Sequence, residues 1–191
     1  MAPLLVLASK SPRRASLLRG IRTDFEVLSV ETEEAHDASL TPADLTVANA
    51  RDKALAVSTL RPTSVVVGAD TLVYIEGEPL GKPKNLDEAA AMLRRLSGRR
   101  HEVCTGVAIT KGHVPLIEFA VVTEVWFLPL TEKTIASYHT RVNPLDKAGA
   151  YGIQESPELI LDRIEGSWSN VVGLPMERLR EELATLSPGD H

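Results

Sequence analysis

Apolar positions fall in short runs, separated by polar punctuation. Residues 4–8, Leu4-Leu5-Val6-Leu7-Ala8, make a continuous apolar stretch, the pattern of a strand covered on both faces. Ser9-Lys10-Ser11-Pro12 follows and reads as a helix entry, with Ser11 as N-cap, Pro12 at the first helical position and Gly20 as the stop. Residues 25–30 are strand-like, and an acidic stretch covers 31–37. Thr41-Pro42-Ala43-Asp44 repeats the capping logic and predicts a second helix ending near Ser58. Val65-Val66-Val67 predicts a short buried strand that ends at Gly68-Ala69-Asp70-Thr71. Residues 72–75 and 78–80, on either side of Glu76-Gly77, predict a hairpin.

The second half has clearer periodicity. Residues 87–96 form an amphipathic helical pattern stopped by Ser97-Gly98. Residues 101–110 and 114–128 read as two long antiparallel strands around Lys111-Gly112, and Thr131 caps a helix over 131–138. A strand over 159–164 and a helix over 176–186 complete the pattern. No repeat, low-complexity tract or linker interrupts the chain, so one domain over 1–191 is expected. Strands and helices alternate irregularly, which predicts mixed α/β architecture rather than a regular doubly wound sheet.

Composition narrows the function classes. With 191 residues, 43% hydrophobic and 25% charged, the chain is long enough to build a core without covalent staples. Its single cysteine, Cys104, excludes an internal disulfide framework and suits a reducing, cytoplasmic setting. The 4–8 run is too short for a signal-peptide core, and no stretch approaches the roughly 18 apolar residues of a membrane span. A net charge of −5 and 4% aromatics argue against nucleic acid as a partner. Membrane is equally disfavoured.

Four polar clusters sit at expected strand ends or helix starts, where α/β proteins build sites. Ser9-Lys10-Ser11-Pro12-Arg13-Arg14 would place hydroxyls, an ammonium and two guanidiniums at a helix N-terminus, donors suited to a triphosphate. The alternative is a capped helix with solvated basic residues. Asp70 follows an apolar strand and is a candidate base or metal ligand; a turn Asp is the structural alternative. Glu31, Glu33 and Glu34 could supply one further metal carboxylate from a loop otherwise solvated. Gly81-Lys82-Pro83 resembles the tail of a P-loop, but Glu76 stands where the first glycine is needed and Pro83 replaces Ser or Thr. Asp146-Lys147-Ala148-Gly149-Ala150-Tyr151-Gly152-Ile153-Gln154 allows close backbone approach, for a base or simply for a tight connection. There is no dinucleotide glycine motif, no zinc-protease motif and no nucleophile elbow, and the five histidines lack metal-ligand spacing.

Taken in order, these blocks resemble the Maf family of nucleoside triphosphate pyrophosphatases. Leu7-Ala8-Ser9-Lys10-Ser11-Pro12-Arg13-Arg14 is similar to that family's opening signature. Gly68-Ala69-Asp70-Thr71, Gly81-Lys82-Pro83, Leu96-Ser97-Gly98, residues 146–154 and Val171-Val172-Gly173-Leu174-Pro175 follow in the family's order. The resemblance implies a mixed α/β fold with a curved central sheet, flanking helices and two lobes around a cleft. It implies hydrolysis of a nucleoside triphosphate to monophosphate and pyrophosphate, with Asp70 as proton acceptor and Lys53 and Lys82 in the catalytic set. Ser9, Arg13, Arg14, Thr71 and Gln154 would bind substrate. Glu34 and Asp70 would hold a divalent cation, Mg²⁺ or Mn²⁺. Arg13, Thr71 and Gln154 match the branch acting on dTTP and UTP. The 7-methyl-GTP branch typically carries tryptophan and glutamate at positions 13 and 154, which suit a cationic purine. By analogy a homodimer is expected. The alternatives are a 7-methyl-GTP-type pyrophosphatase and a nucleotide-sensing regulator of cell division.

Overall fold

The computed structural model describes residues 4–33, 35, 37 and 39–186. Seven strands and six helices follow one another irregularly, as the mixed α/β expectation requires. The strands hydrogen-bond in the order β2-β1-β3-β5-β6-β7, with β4 attached to β3; these are β1 (Leu5–Ala8), β2 (Phe25–Val27), β3 (Val65–Ile75), β4 (Glu78–Leu80), β5 (Arg100–Lys111), β6 (Val114–Phe127) and β7 (Leu161–Glu165). The helices are α1 (Pro12–Arg19), α2 (Pro42–Leu60), α3 (Leu86–Leu96), α4 (Glu132–Arg141), α5 (Trp168–Val172) and α6 (Met176–Thr185). Among the described residues no helix is long and apolar enough to cross a membrane.

The chain divides into two compact units. The first comprises Met1–Asp70, Thr105–Val121 and Gly173–His191; the second comprises Thr71–Cys104 and Val122–Val172. In the first unit β1 runs parallel to both β2 and β3, with Leu7 opposite Val67 and Ala8 opposite Gly68. Its continuous apolar run follows from burial on both faces. Leu5 and Leu7 pack with Leu18, Val107 and Leu179, while Val6 and Ala8 pack with Ala50, Ala54 and Val57.

Two glycines set how closely α2 lies on this sheet. A Cβ at Gly68 would fall on the Ala50 carbonyl oxygen and lie 2.9 Å from the Ala54 Cβ. At Gly106 it would overlap the Thr46–Val47 peptide. α2 answers with small residues, Ala50 and Ala54, both fully buried. Thr41 caps the helix by accepting from the Asp44 N–H at 3.1 Å, and Pro42 opens it.

In the second unit β4 pairs antiparallel with β3, Val73 opposite Leu80, and β7 pairs antiparallel with β6, Val125 opposite Ile164. Leu93, Leu96, Ile135, Tyr138, Ile153 and Ile160 are buried there. Cys104 is buried within β5.

Several expected boundaries move: β2 ends at Val27 rather than 30, α4 runs on to Arg141 rather than 138, and β7 begins at Leu161 rather than 159. The largest change is at β3. The strand beginning at Val65 does not end at Gly68–Thr71 but continues to Ile75, so Asp70 lies within β3 rather than at its end. Glycine and aspartate ordinarily break strands. Here the glycine is needed by α2 and the carboxylate is satisfied by side chains of that helix. α5 and the 3₁₀ turns at Ala148–Ala150 and Pro157–Leu159 had no periodic signal, being three to five residues long.

Because α2 leaves no room at Gly68, Gly68→Ala should destabilise the protein by at least about 2 kcal/mol through overpacking. Urea unfolding checks this. An unchanged midpoint would show that α2 can retreat without cost.

Candidate functional site

The polar cluster of the first unit grows from three elements. β1 delivers Ser9 to the start of α1, and Ser9 is 6% exposed. Its hydroxyl accepts from the Ser11 N–H at 3.2 Å and from Arg14 Nη1 at 3.3 Å. Ser11 caps α1 as predicted, accepting from the Arg14 N–H at 3.5 Å. This alters the expected anion site at α1. The Ser11 and Arg14 N–H groups are spent within the turn, and Pro12 has none.

Arg14 is a structural tie as well as a candidate ligand. Its Nε donates to the Gly173 carbonyl at 2.7 Å, and Nη1 donates to the Ala69 carbonyl at 2.9 Å. One planar guanidinium thus joins the β1–α1 turn, β3 and the segment entering α6. Arg13, the neighbouring candidate, is half-buried on the first turn of α1, and Lys10 forms an exposed ion pair with Glu31 at 3.1 Å.

Asp70 is the chemical centre of the cluster. It is 6% exposed, and its oxygens are held by two side chains one turn apart on α2. Lys53 Nζ donates to Oδ1 at 2.6 Å; Asn49 Nδ2 donates to Oδ2 at 3.2 Å. An ionised carboxylate has about four acceptor sites, so two bonds leave capacity for a water. The sequence reading named Lys53 and missed Asn49. The signal was available, since residues 49 and 53 stand four apart on the α2 face that also carries Ala50 and Ala54.

Glu34, expected as a metal ligand, lies outside the described residues. The chain beside it is anchored, because the Ala35 N–H donates to Asn49 Oδ1 at 2.8 Å. Among the described residues no three His, Cys, Asp or Glu side chains gather as a metal cage. The donor set nevertheless fits a cation that arrives on a triphosphate, since Mg²⁺ commonly takes one or two protein carboxylates plus phosphate and water. Asp70 is the carboxylate of the cluster that could serve.

Thr71, Lys82 and Gln154 belong to the second unit. Thr71 is half-buried in β3, and Lys82 and Gln154 are exposed. The Gly81–Pro83 block and the 146–154 block are brought together within this unit, where the Gly149 N–H donates to the Gly81 carbonyl at 3.1 Å. Gly149 has φ +69°, and a Cβ there would press Val73 at 3.2 Å. Ala150 follows with φ +65°, a left-handed conformation costing an alanine about 1–2 kcal/mol.

Buried polar groups pay for that strain by fixing the segment that leads to Gln154. The Tyr138 hydroxyl donates to the Gly152 carbonyl at 3.1 Å and accepts from the Gly152 N–H at 3.0 Å. Buried Lys147 reaches Asp146 at 2.8 Å, Glu155 at 3.1 Å and the Asn143 carbonyl at 2.8 Å. The Tyr151 hydroxyl meets His101 Nε2 at 2.8 Å. Burial raises both tyrosines well above the usual phenol range and pushes the His101 imidazole down to about 3.

The family model described as Maf-like protein matches residues 4–186. The chain belongs to the Maf-like family. A dTTP/UTP pyrophosphatase of Akkermansia muciniphila is 48% identical over 92% of this chain and 93% of its own length. Proteins of that name from Carboxydothermus hydrogenoformans, 47% identical over 94% of this chain and 96% of theirs, and Bacillus velezensis, 45% identical over 96% of each, are similar relatives. Among solved structures, the Staphylococcus aureus Ham1 protein matches with a TM-score of 0.57 at 15% identity, over 96% of this chain and 99% of that one. A HAM1 protein from Coxiella burnetii gives 0.56 at 16%, with the same coverage. These two likenesses concern the fold alone.

In this Maf-like chain His101 stays neutral when folded down to about pH 3, whereas in the unfolded chain it protonates near 6.5. The unfolded state therefore binds the extra proton between those values, and stability falls as pH drops through that window. Above pH 6.5 the effect vanishes. His101→Gln should reduce the stability lost between pH 7.5 and pH 5 by about 2 kcal/mol. Urea unfolding at the two pH values measures it, and equal losses in both proteins would refute it.

Proposed function

We propose that this chain is a pyrophosphatase that hydrolyses dTTP and UTP to the nucleoside monophosphate and pyrophosphate. The near-full-length relatives of that name support the reading. The structural observation that carries it is Asp70, a nearly buried carboxylate held by Lys53 and Asn49 with acceptor capacity to spare.

Asp70 orients a water and accepts its proton as the water oxygen attacks the α-phosphorus. The bond from that phosphorus to the bridging oxygen breaks, and pyrophosphate leaves. Lys53, beside Asp70, offsets the charge that develops on the phosphate, and Arg13, Ser9 and Lys82 take the remaining phosphate oxygens. Arg14 contributes charge while holding the turn that carries Ser9. Thr71 and Gln154 hydrogen-bond the neutral pyrimidine edge. A divalent cation, Mg²⁺ or Mn²⁺, with Asp70 and Glu34 as its protein carboxylates, would neutralise phosphate charge and make water easier to deprotonate. The same reading carries a cytoplasmic homodimer, whose oligomeric half light scattering checks.

The test is pyrophosphate release from dTTP, UTP, CTP, ATP, GTP and 7-methyl-GTP, with Mg²⁺, with Mn²⁺ and with a chelator. Turnover of dTTP and UTP that the chelator abolishes is expected. Asp70→Asn should lose at least about 100-fold in kcat while retaining its circular dichroism spectrum. Full activity in that variant would remove Asp70 from the reaction. Turnover of 7-methyl-GTP alone would overturn the pyrimidine reading, and tight binding without pyrophosphate would make the chain a sensor.

A further inference from the structure

Asn49 is 4% exposed, and a buried carboxamide is costly unless its hydrogen-bonding capacity is met. Here both polar atoms of the amide are engaged, through three hydrogen bonds. Nδ2 donates to Asp70 Oδ2 at 3.2 Å and to the Ala35 carbonyl at 3.4 Å, and Oδ1 accepts from the Ala35 N–H at 2.8 Å. The partners dictate which way the amide faces. The Ala35 N–H can only donate and the Asp70 carboxylate only accept, so the reversed amide would lose both bonds.

This geometry does two things. Rotation of a carboxylate about its last bond is soft and nearly two-fold. A flexible lysine on Oδ1 leaves that rotation open, whereas a short, packed amide on Oδ2 fixes the plane. The same amide grips both polar groups of Ala35 and so ties that residue to the carboxylate.

We infer that Asn49 is a positioning residue: it sets the plane of the Asp70 carboxylate and ties Ala35 to it. It acts through Asp70 and touches no substrate. The inference rests on the pyrophosphatase reading.

The experiment compares Asn49→Ala, Asn49→Leu and Asn49→Asp with the unaltered enzyme on UTP. It measures kcat, KM, thermal unfolding and the Kd of a UTP analogue with nitrogen bridging the α- and β-phosphorus. Loss of one hydrogen bond to a charged group corresponds to about a 10-fold to 100-fold fall in kcat, with KM and the analogue Kd within about 2-fold. Asn49→Leu keeps the site filled if alanine unfolds it. Asn49→Asp keeps the shape but removes the donors, so it should be no more active than Asn49→Leu. Wild-type kcat in folded Asn49→Leu would overturn the inference, as would restoration of kcat by Asn49→Asp, because the side chain would then only fill space. Parallel losses in kcat, analogue binding and folded fraction would also overturn it. If the unaltered enzyme releases no pyrophosphate from UTP or dTTP, the parent reading fails first.

Discussion

Lys53 reaches Asp70 because α2 lies so close to β3 that no Cβ fits between them at Gly68. The approach needs small residues on both sides: glycine at 68 and 106 on the strands, alanine at 50 and 54 on the helix. Once the helix axis is that near, side chains at 49 and 53 project over the strand residue two beyond Gly68. A bulkier contact would lift α2, and neither the ammonium nor the amide would span the gap. Steric permission at a residue with no side chain thus decides the electrostatics of one that has a charge.

The cluster also shows how a chain holds a carboxylate nearly out of water. Removing an ion from solvent costs several kcal/mol unless charge and hydrogen bonds compensate. Asp70 receives two hydrogen bonds, one of them from a cation, and both come from a single rigid helix, so little is spent ordering the partners. The second unit uses neutral groups for a comparable task. Tyr138 and Tyr151 brace the 146–154 segment through a peptide and an imidazole, and burial of His101 keeps that imidazole uncharged into the acid range.

Legibility in the sequence followed the length of the signal. Ser11 and Thr41 were readable as caps because Ser-Pro and Thr-Pro carry a local mechanism that tertiary contacts did not overrule. The amphipathic α3 was readable for its periodicity. β3 was cut short because Gly68 and Asp70 look like breakers until the helix above them is known. Asp70, Ser9, Arg14 and Lys53 were named from motifs, and the structure of the first unit brings them together. Asn49 was invisible to that approach, because its meaning depends on what lies opposite one helix face. Arg14 was read as a phosphate donor, and its ties to Gly173 and Ala69 could not be anticipated from residues 159 and 55 positions away.

Those distant partners of Arg14 bear on the order in which the molecule can be assembled. The first unit draws on chain from three separate stretches, and the last of them supplies the Gly173 carbonyl together with Leu174 and Leu179. A chain emerging from the ribosome can pair β1 with β2 early, but the Arg14 guanidinium and the core around α1 wait for residues that follow Arg14 by 159 positions or more. Closing so long a loop is slow, and apolar surface stays open meanwhile. A nascent chain already carrying Ser9, Lys53 and Asp70 has therefore not yet closed the unit that holds them.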